Sequence, residues 1–225
     1  MRSTFTRTGI ALALAISAAS AAHADILDTL TGKVAVTWWK WALQTPAAAN
    51  PVTDTTGAHC AQSQSGPIWF LAGTFGTDPV TRSCDIPAGK FLFIPLVNSF
   101  YGAFLSDTPE TRTEAYVRAQ AACTDPVTIT LTLDGKTIPG TKQFFTGTPG
   151  SLSPLFDIQL PVDNIYGVDA TTVPQLKLTP SSEQGYYFAL PPLPGGPHTV
   201  HWVATGCKPG TVQDITYKLS VKKGH

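Results

Sequence analysis

Two histidines stand three residues apart near the C-terminus, His198 and His201, and paired imidazoles are a common start for a metal site. The surrounding residues read as a strand, where positions three apart point to opposite faces, so the two rings cannot share one ion without a bulge. No H-E-x-x-H or other zinc signature occurs, and no metal is expected. Asp163, Asn164 and Asp169 could supply oxygen ligands to Ca²⁺, but the EF-hand spacing is absent and short acidic loops are usually turns. Acid–base hydrolysis calls for paired carboxylates or a nucleophile with its base. The glutamates are Glu110, Glu114 and Glu183. The first two fall four apart on an expected helix, which is ordinary surface decoration, and no G-x-S-x-G elbow is present. Tyr186, Tyr187 and His201 are the set a polysaccharide lyase would use. Their spacing does not separate that chemistry from a packed hairpin. No cofactor is expected, and the balance leans away from an enzyme.

The most unusual local composition is Trp38-Trp39-Lys40-Trp41. On a helix Trp38 and Trp41 share a face, while Trp39 points about 100° away. Packing on a sheet is the ordinary reading of such rings, because a buried indole is mainly apolar payload. The sharper reading is a platform for sugar stacking. Trp39, Trp41, Tyr187 and His201 are therefore the candidate binding residues, with Trp39 the ring expected to be exposed.

The elements that must hold these residues centre on Gly66 to Asn98. Two apolar bursts, Ile68-Trp69-Phe70-Leu71 and Phe91-Leu92-Phe93-Ile94, are each bounded by Gly or Pro. Runs so short and so aromatic read as buried strands, here a central pair with Trp69 and Phe93 in the core. Pro87-Ala88-Gly89-Lys90 has the chemistry of a tight turn. Before the bursts, Leu27, Leu30, Val34, Trp38 and Trp41 fall at helical spacing, and a helix ending at Leu43 is expected. After them, Asp107-Thr108-Pro109-Glu110 predicts a helix start, with Arg112, Ala115, Ala119 and Ala122 as a small face toward the sheet. Val127 to Leu133 alternates as a strand, and Asp134-Gly135 signals a hairpin. Further strands are expected at Leu155–Leu160, Tyr186–Leu190, His198–Ala204 and Asp214–Val221, with a long loop from Val162 to Ser182. The fold class is mainly β: an antiparallel, jelly-roll-like β-sandwich with an N-terminal helix and one helical insertion.

The N-terminus reads as an export signal. Arg2 and Arg7 precede the apolar run Ile10–Ala18, and Ala22-His23-Ala24 fits the small-x-small cleavage rule. Residues 1–24 are the expected signal peptide and 25–225 a single domain. Removing 24 of 225 residues leaves 201, and removing Arg2 and Arg7 leaves 13 basic against 15 acidic side chains, a net charge of −2. No basic field exists to attract nucleic acid or anionic lipid. No later run reaches membrane-spanning length. Cys60, Cys84, Cys123 and Cys207 are even in number and follow an export signal, which argues for two disulfides. Three connectivities exist, and Cys60–Cys84 with Cys123–Cys207 is favoured because the first would staple the segments that precede the two bursts.

Trp38-Trp39-Lys40-Trp41, Asp54-Thr55-Thr56-Gly57, Gly66-Pro67-Ile68-Trp69-Phe70-Leu71-Ala72-Gly73, Pro87-Ala88-Gly89-Lys90 and Gly185-Tyr186-Tyr187 together resemble a group of uncharacterised secreted bacterial proteins. The resemblance covers most of the chain after the signal and implies export and one recurrent domain. It carries over no activity and no functional residues. The function expected is a secreted or periplasmic, non-catalytic binding domain for a glycan or surface polymer. The alternatives are an extracytoplasmic carbohydrate-active enzyme, lyase or hydrolase, and a structural envelope or matrix protein.

Overall fold

The computed structural model describes residues 31–222, apart from residues 143, 149, 150, 172 and 174. The export signal, its cleavage site, and Leu27 and Leu30 of the helical stripe lie outside the described residues. The chain is mainly β. A helix, α1, occupies residues 31–44. Then come β1 (Ile68–Phe70), β2 (Val80–Pro87), β3 (Phe91–Phe104), α2 (Glu114–Ala121), β4 (Asp125–Leu133), β5 (Lys136–Thr137), β6 (Phe144–Phe145), β7 (Phe156–Gln159), β8 (Lys177–Leu190), β9 (Gly196–Cys207) and β10 (Val212–Lys222). They form two five-stranded sheets. One runs β1-β3-β8-β6, with β7 also on β8, and the other runs β2-β10-β9-β4-β5.

The expectation of purely antiparallel sheets is corrected. β1 pairs with β3 in parallel and β2 pairs with β10 in parallel. The reason is the path of β2. It leaves the first sheet after β1, joins the second, and returns through the turn at Ala88-Gly89, so the two apolar bursts run side by side in the same direction. β1 therefore lies at the end of its sheet rather than at the centre, and the Gln64 side chain bonds both the N–H and the C=O of Phe70 there.

β3 is apolar almost throughout because both of its faces are covered. Leu92, Ile94 and Leu96 join Trp202, Leu131, Ile215 and Tyr217 of the second sheet in one core. Phe93 joins Trp38, Trp39, Trp41 and Leu43 of α1 in another. The order of layers is helix, first sheet, second sheet. Trp69 and Phe93 are both buried, one in each core.

Both disulfides form as favoured, Cys60–Cys84 and Cys123–Cys207. The hairpin at Asp134-Gly135 is present, with Leu133 opposite Lys136. Two expectations shift. The second helix starts at Glu114, not after Pro109, because the Thr113 hydroxyl caps it by accepting from Tyr116 N–H while Asp107 turns back to accept from Phe104 N–H. Its buried residues are Val117 and Ala121, whereas Ala115 and Ala119 are exposed. The expected loop from Val162 to Ser182 ends earlier, because β8 begins at Lys177.

Candidate functional site

The site is built where β3 and β8 run antiparallel beneath α1. β3 carries a bulge between Pro95 and Val97. Leu96 and Val97 both face the second sheet as a result, and the alternation is reset so that Asn98 and Phe100 face α1. On β8, Glu183, Gly185 and Tyr187 alternate onto that same face. Gly185 lies opposite Asn98. A Cβ on Gly185 would stand 2.4 Å from Asn98 Cβ and 2.8 Å from its Cα, so the glycine is what lets the amide lie across β8 toward Tyr187. Gly185→Ala is expected to cost about 1–3 kcal/mol by overpacking. Urea unfolding checks it, and an unchanged midpoint would contradict the close approach.

On this face, deeper than Asn98, lies a fully buried carboxyl. Glu183 Oε2 accepts from the Tyr187 hydroxyl at 2.5 Å and from Thr146 Oγ1 at 3.2 Å, and Oε1 is bonded to Ser153 Oγ. Burial pushes the Glu183 pKa up to about 7, against the lowering effect of the Ser153, Tyr187 and Thr146 hydroxyls. Burial, reinforced by Glu183, pushes the Tyr187 hydroxyl well above its ordinary value. Tyr187 Oη in turn accepts from Trp39 Nε1 at 3.1 Å and Asn98 Nδ2 at 3.3 Å.

Trp39, Asn98, Ser99 and Phe100 reappear in the lining of a cleft of about 400 Å³, and Thr74, Phe75, Tyr166, Lys208 and Gln213 form part of the remaining lining. Phe75 is 55% exposed and Tyr166 45%, and their ring centroids are 6.1 Å apart. The wall that carries Phe75 is held by its backbone. Gln213 accepts from Thr74 N–H at 2.9 Å and donates to Thr74 C=O at 2.8 Å. Tyr217 Oη accepts from Ala72 N–H, and Arg82 donates to the carbonyls of Ala72 and Gly73. These bonds fix the backbone from Ala72 to Thr74, next to Phe75, before anything binds, which lowers the ordering cost of recognition on that wall.

The sequence candidates fall in different places. Trp39 is 3% exposed, which overturns the expectation that it is the exposed ring of the cluster. It stacks on Phe100 at 4.9 Å, meets Trp38 edge-on and spends its N–H on Tyr187. α1 is covered on more than its sheet-facing stripe, because Leu160, Leu176 and partly buried Ile165 and Val168 from the segment after β7 belong to the same apolar cluster. Trp41 is buried and donates to Gln62 C=O, and Trp38 donates to Leu71 C=O. Tyr187 is buried, whereas His201 is on the second sheet, partly exposed and bonded to Asp214 at 2.9 Å. The structure does not bring Tyr187 and His201 together. His198 pairs with Asp134 at 2.8 Å, which raises the imidazole pKa, and the same bond is the main cause lowering the Asp134 carboxyl. The Asp163 and Asn164 side chains are used on the backbone of their own neighbourhood, at Ala48, Pro161 and Val168.

Sequence reasoning missed Phe75, Tyr166, Asn98 and Glu183. The signal for Glu183 was Glu-x-Gly-x-Tyr at period two, which carries the Tyr186–Leu190 alternation upstream. Phe75 and Tyr166 carry no periodic signal, since both stand in loops. Compared with protein families, curated proteins and solved structures, the chain has no match.

Proposed function

We propose that this chain is a secreted or periplasmic, non-catalytic binding domain whose cleft beside Phe75 and Tyr166 takes a glycan or other hydroxyl-rich surface polymer. The domain is read as a β-sandwich because the two sheets share one core. The jelly-roll-like variant of that reading rests on strands that change sheets at β1–β2–β3 and again at β8–β9. Export rests on the N-terminal signal with cleavage after Ala24, and the two disulfides suit an oxidising compartment.

One observation carries the binding role. Two half-exposed aromatic rings converge on a cleft whose floor is polar and aromatic together. Exposing large rings costs stability unless they meet something, and flat rings beside amides suit the C–H faces and hydroxyls of a sugar. Among the described residues Lys208 is the single charged residue of the lining and its Nζ donates to Gln120 C=O at 2.8 Å, so rings and amides rather than an array of charges make up most of the recognition surface. Support for binding over catalysis comes from the carboxyl beneath the floor, which is sealed behind Tyr187.

Native gel electrophoresis through dextran, hydroxyethylcellulose, soluble xylan and polygalacturonate tests this. Retardation by at least one neutral polymer is expected. Phe75→Ala and Tyr166→Ala should each weaken it about 3- to 10-fold without loss of folding, since both rings are half in water. A wild-type chain that migrates freely in all four polymers, or variants that bind as tightly as wild type, would overturn the assignment.

A further inference from the structure

Resting on that reading of the cleft, we infer that Asn98 is its specificity-determining residue, presenting Oδ1 as an acceptor to a ligand hydroxyl, and that Tyr187 and Glu183 are positioning residues that fix the amide in that orientation. A tyrosine hydroxyl has one proton to donate and two lone pairs to accept with. Glu183 Oε2 takes the proton at 2.5 Å. Toward its other neighbours the oxygen can then only accept. Trp39 Nε1 can only donate, and it fills one lone pair at 3.1 Å. The other faces Asn98, so the atom turned to Tyr187 at 3.3 Å has to be the amide nitrogen. The remaining amide atom is Oδ1. Among the described residues it accepts no hydrogen bond, and it is absent from the buried atoms that lack partners, while Asn98 lines the cleft.

The orientation holds for ionised Glu183, and equally for the protonated acid when its proton is on Oε1, where Ser153 Oγ can accept it and donate its own to Gly32 C=O at 3.3 Å. Oε2 still receives the Tyr187 proton. The cleft floor thus offers an acceptor in both states. A ligand that meets it must carry a donor there, as an alcohol does and a methyl ether does not.

The experiment uses hydroxyethylcellulose and soluble xylan with their O-methylated forms as probes, followed by native affinity electrophoresis and titration calorimetry. The wild-type chain should bind a hydroxylated polymer and discriminate against its methylated form. Asn98→Leu, close in shape but without the acceptor, should lose about tenfold in affinity and the discrimination with it. Tyr187→Phe frees the amide to turn and should lose discrimination while Phe75 still contributes to binding, a split that a merely structural defect would not give. Independently of any ligand, the Asn98 side-chain amide protons in the wild-type NMR spectrum should exchange slowly, and Tyr187→Phe should speed that exchange. If Phe75→Ala weakens binding but Asn98→Leu leaves affinity and discrimination intact, this inference fails and the cleft assignment stands. If no polymer binds the wild-type chain, both fail. Fast exchange of the Asn98 amide in the wild-type chain would overturn the positioning role.

Discussion

Arg82→Ala should cost at least about 3 kcal/mol, a large share of the roughly 5–15 kcal/mol that holds an ordinary domain together. Arg82 is 1% exposed on β2, at an inward position between Val80 and Cys84. Its guanidinium donates to the carbonyls of Asp54, Ala72, Val52 and Gly73 and to the Tyr217 hydroxyl, and it stands 5.5 Å from the centre of the Tyr217 ring. Among the described residues no carboxylate pairs with it in an ion pair. Four carbonyl dipoles and an aromatic face compensate the charge instead. Removing the side chain strands the carbonyls of Val52, Asp54 and Gly73, while Ala72 C=O keeps the Tyr217 hydroxyl at 3.2 Å, and each stranded group costs about 1–3 kcal/mol. Arg82→Lys keeps the charge but gathers its donors at one point, so it should recover only part of the loss. Urea unfolding of the three proteins decides this. An alanine variant with the wild-type midpoint would show that water satisfies the carbonyls and that the fork is dispensable.

The same residue explains what the motifs of the sequence are for. Asp54-Thr55-Thr56-Gly57, one of the stretches that carry the resemblance, is a dock for β2. The Asp54 carboxylate accepts from the N–H groups of Thr56 and His59, which fixes the carbonyl that meets Arg82. At Gly57 an added Cβ would stand 2.1 Å from Ser83 C=O, with φ at 92°. Lys90 of the Pro-Ala-Gly-Lys turn donates to Gly66 C=O. The three tryptophans of α1 each strap a different segment through the indole N–H. All of these were visible as composition, and each holds one segment of the fold to another.

Strand positions were legible wherever one face was apolar and the other polar, as in β4 and β10, where period two leaves little choice. β8 was cut short because Ser181-Ser182-Glu183-Gln184 has no apolar residue, although Ser181, Ser182 and Glu183 are buried. Polarity argues for exposure, but Glu183 has three hydroxyls around it, and the small Ser181 and Ser182 side chains are buried without a hydrogen-bond partner among the described residues. The direction of the strands was illegible for a different reason. Parallel or antiparallel pairing depends on which sheet the intervening strand joins, and β2 carries no local mark of that choice. The cleft was illegible for the same kind of reason. Its rings, on Phe75 and Tyr166, come from loops about 90 residues apart in the sequence, and no local pattern joins them.

Wild-type stability should fall as pH rises from about 4.5 toward 7, and Glu183→Gln should remove most of that fall. The sign follows from linkage. The Glu183 pKa is raised in the folded chain to about 7 from an ordinary 4.5, chiefly by burial. The folded state therefore holds a proton that the unfolded state gives up, and each step upward between those values favours unfolding. The stabilisation is fully present below 4.5 and gone above about 7. Its size is on the order of 3 kcal/mol across the window, taking 1.36 kcal/mol per pKa unit. The protonated acid completes the chain from Glu183 through Ser153 to Gly32 C=O, which ties the start of α1 to β8. The ionised form takes the Ser153 proton for itself and leaves that carbonyl without it. Glutamine stays neutral at every pH and faces hydroxyls that can both donate and accept, so it should fold well and titrate flat. Other groups move elsewhere. The lowered carboxyl of Asp134 loses its contribution below about 4, and the raised His198 loses its own only above about 6.5. Subtracting the variant's urea midpoints from the wild-type values at half-unit steps between pH 4.5 and 8 isolates Glu183. A flat difference would show that the carboxyl is ionised throughout and that its three hydroxyl donors, not a retained proton, carry its stability.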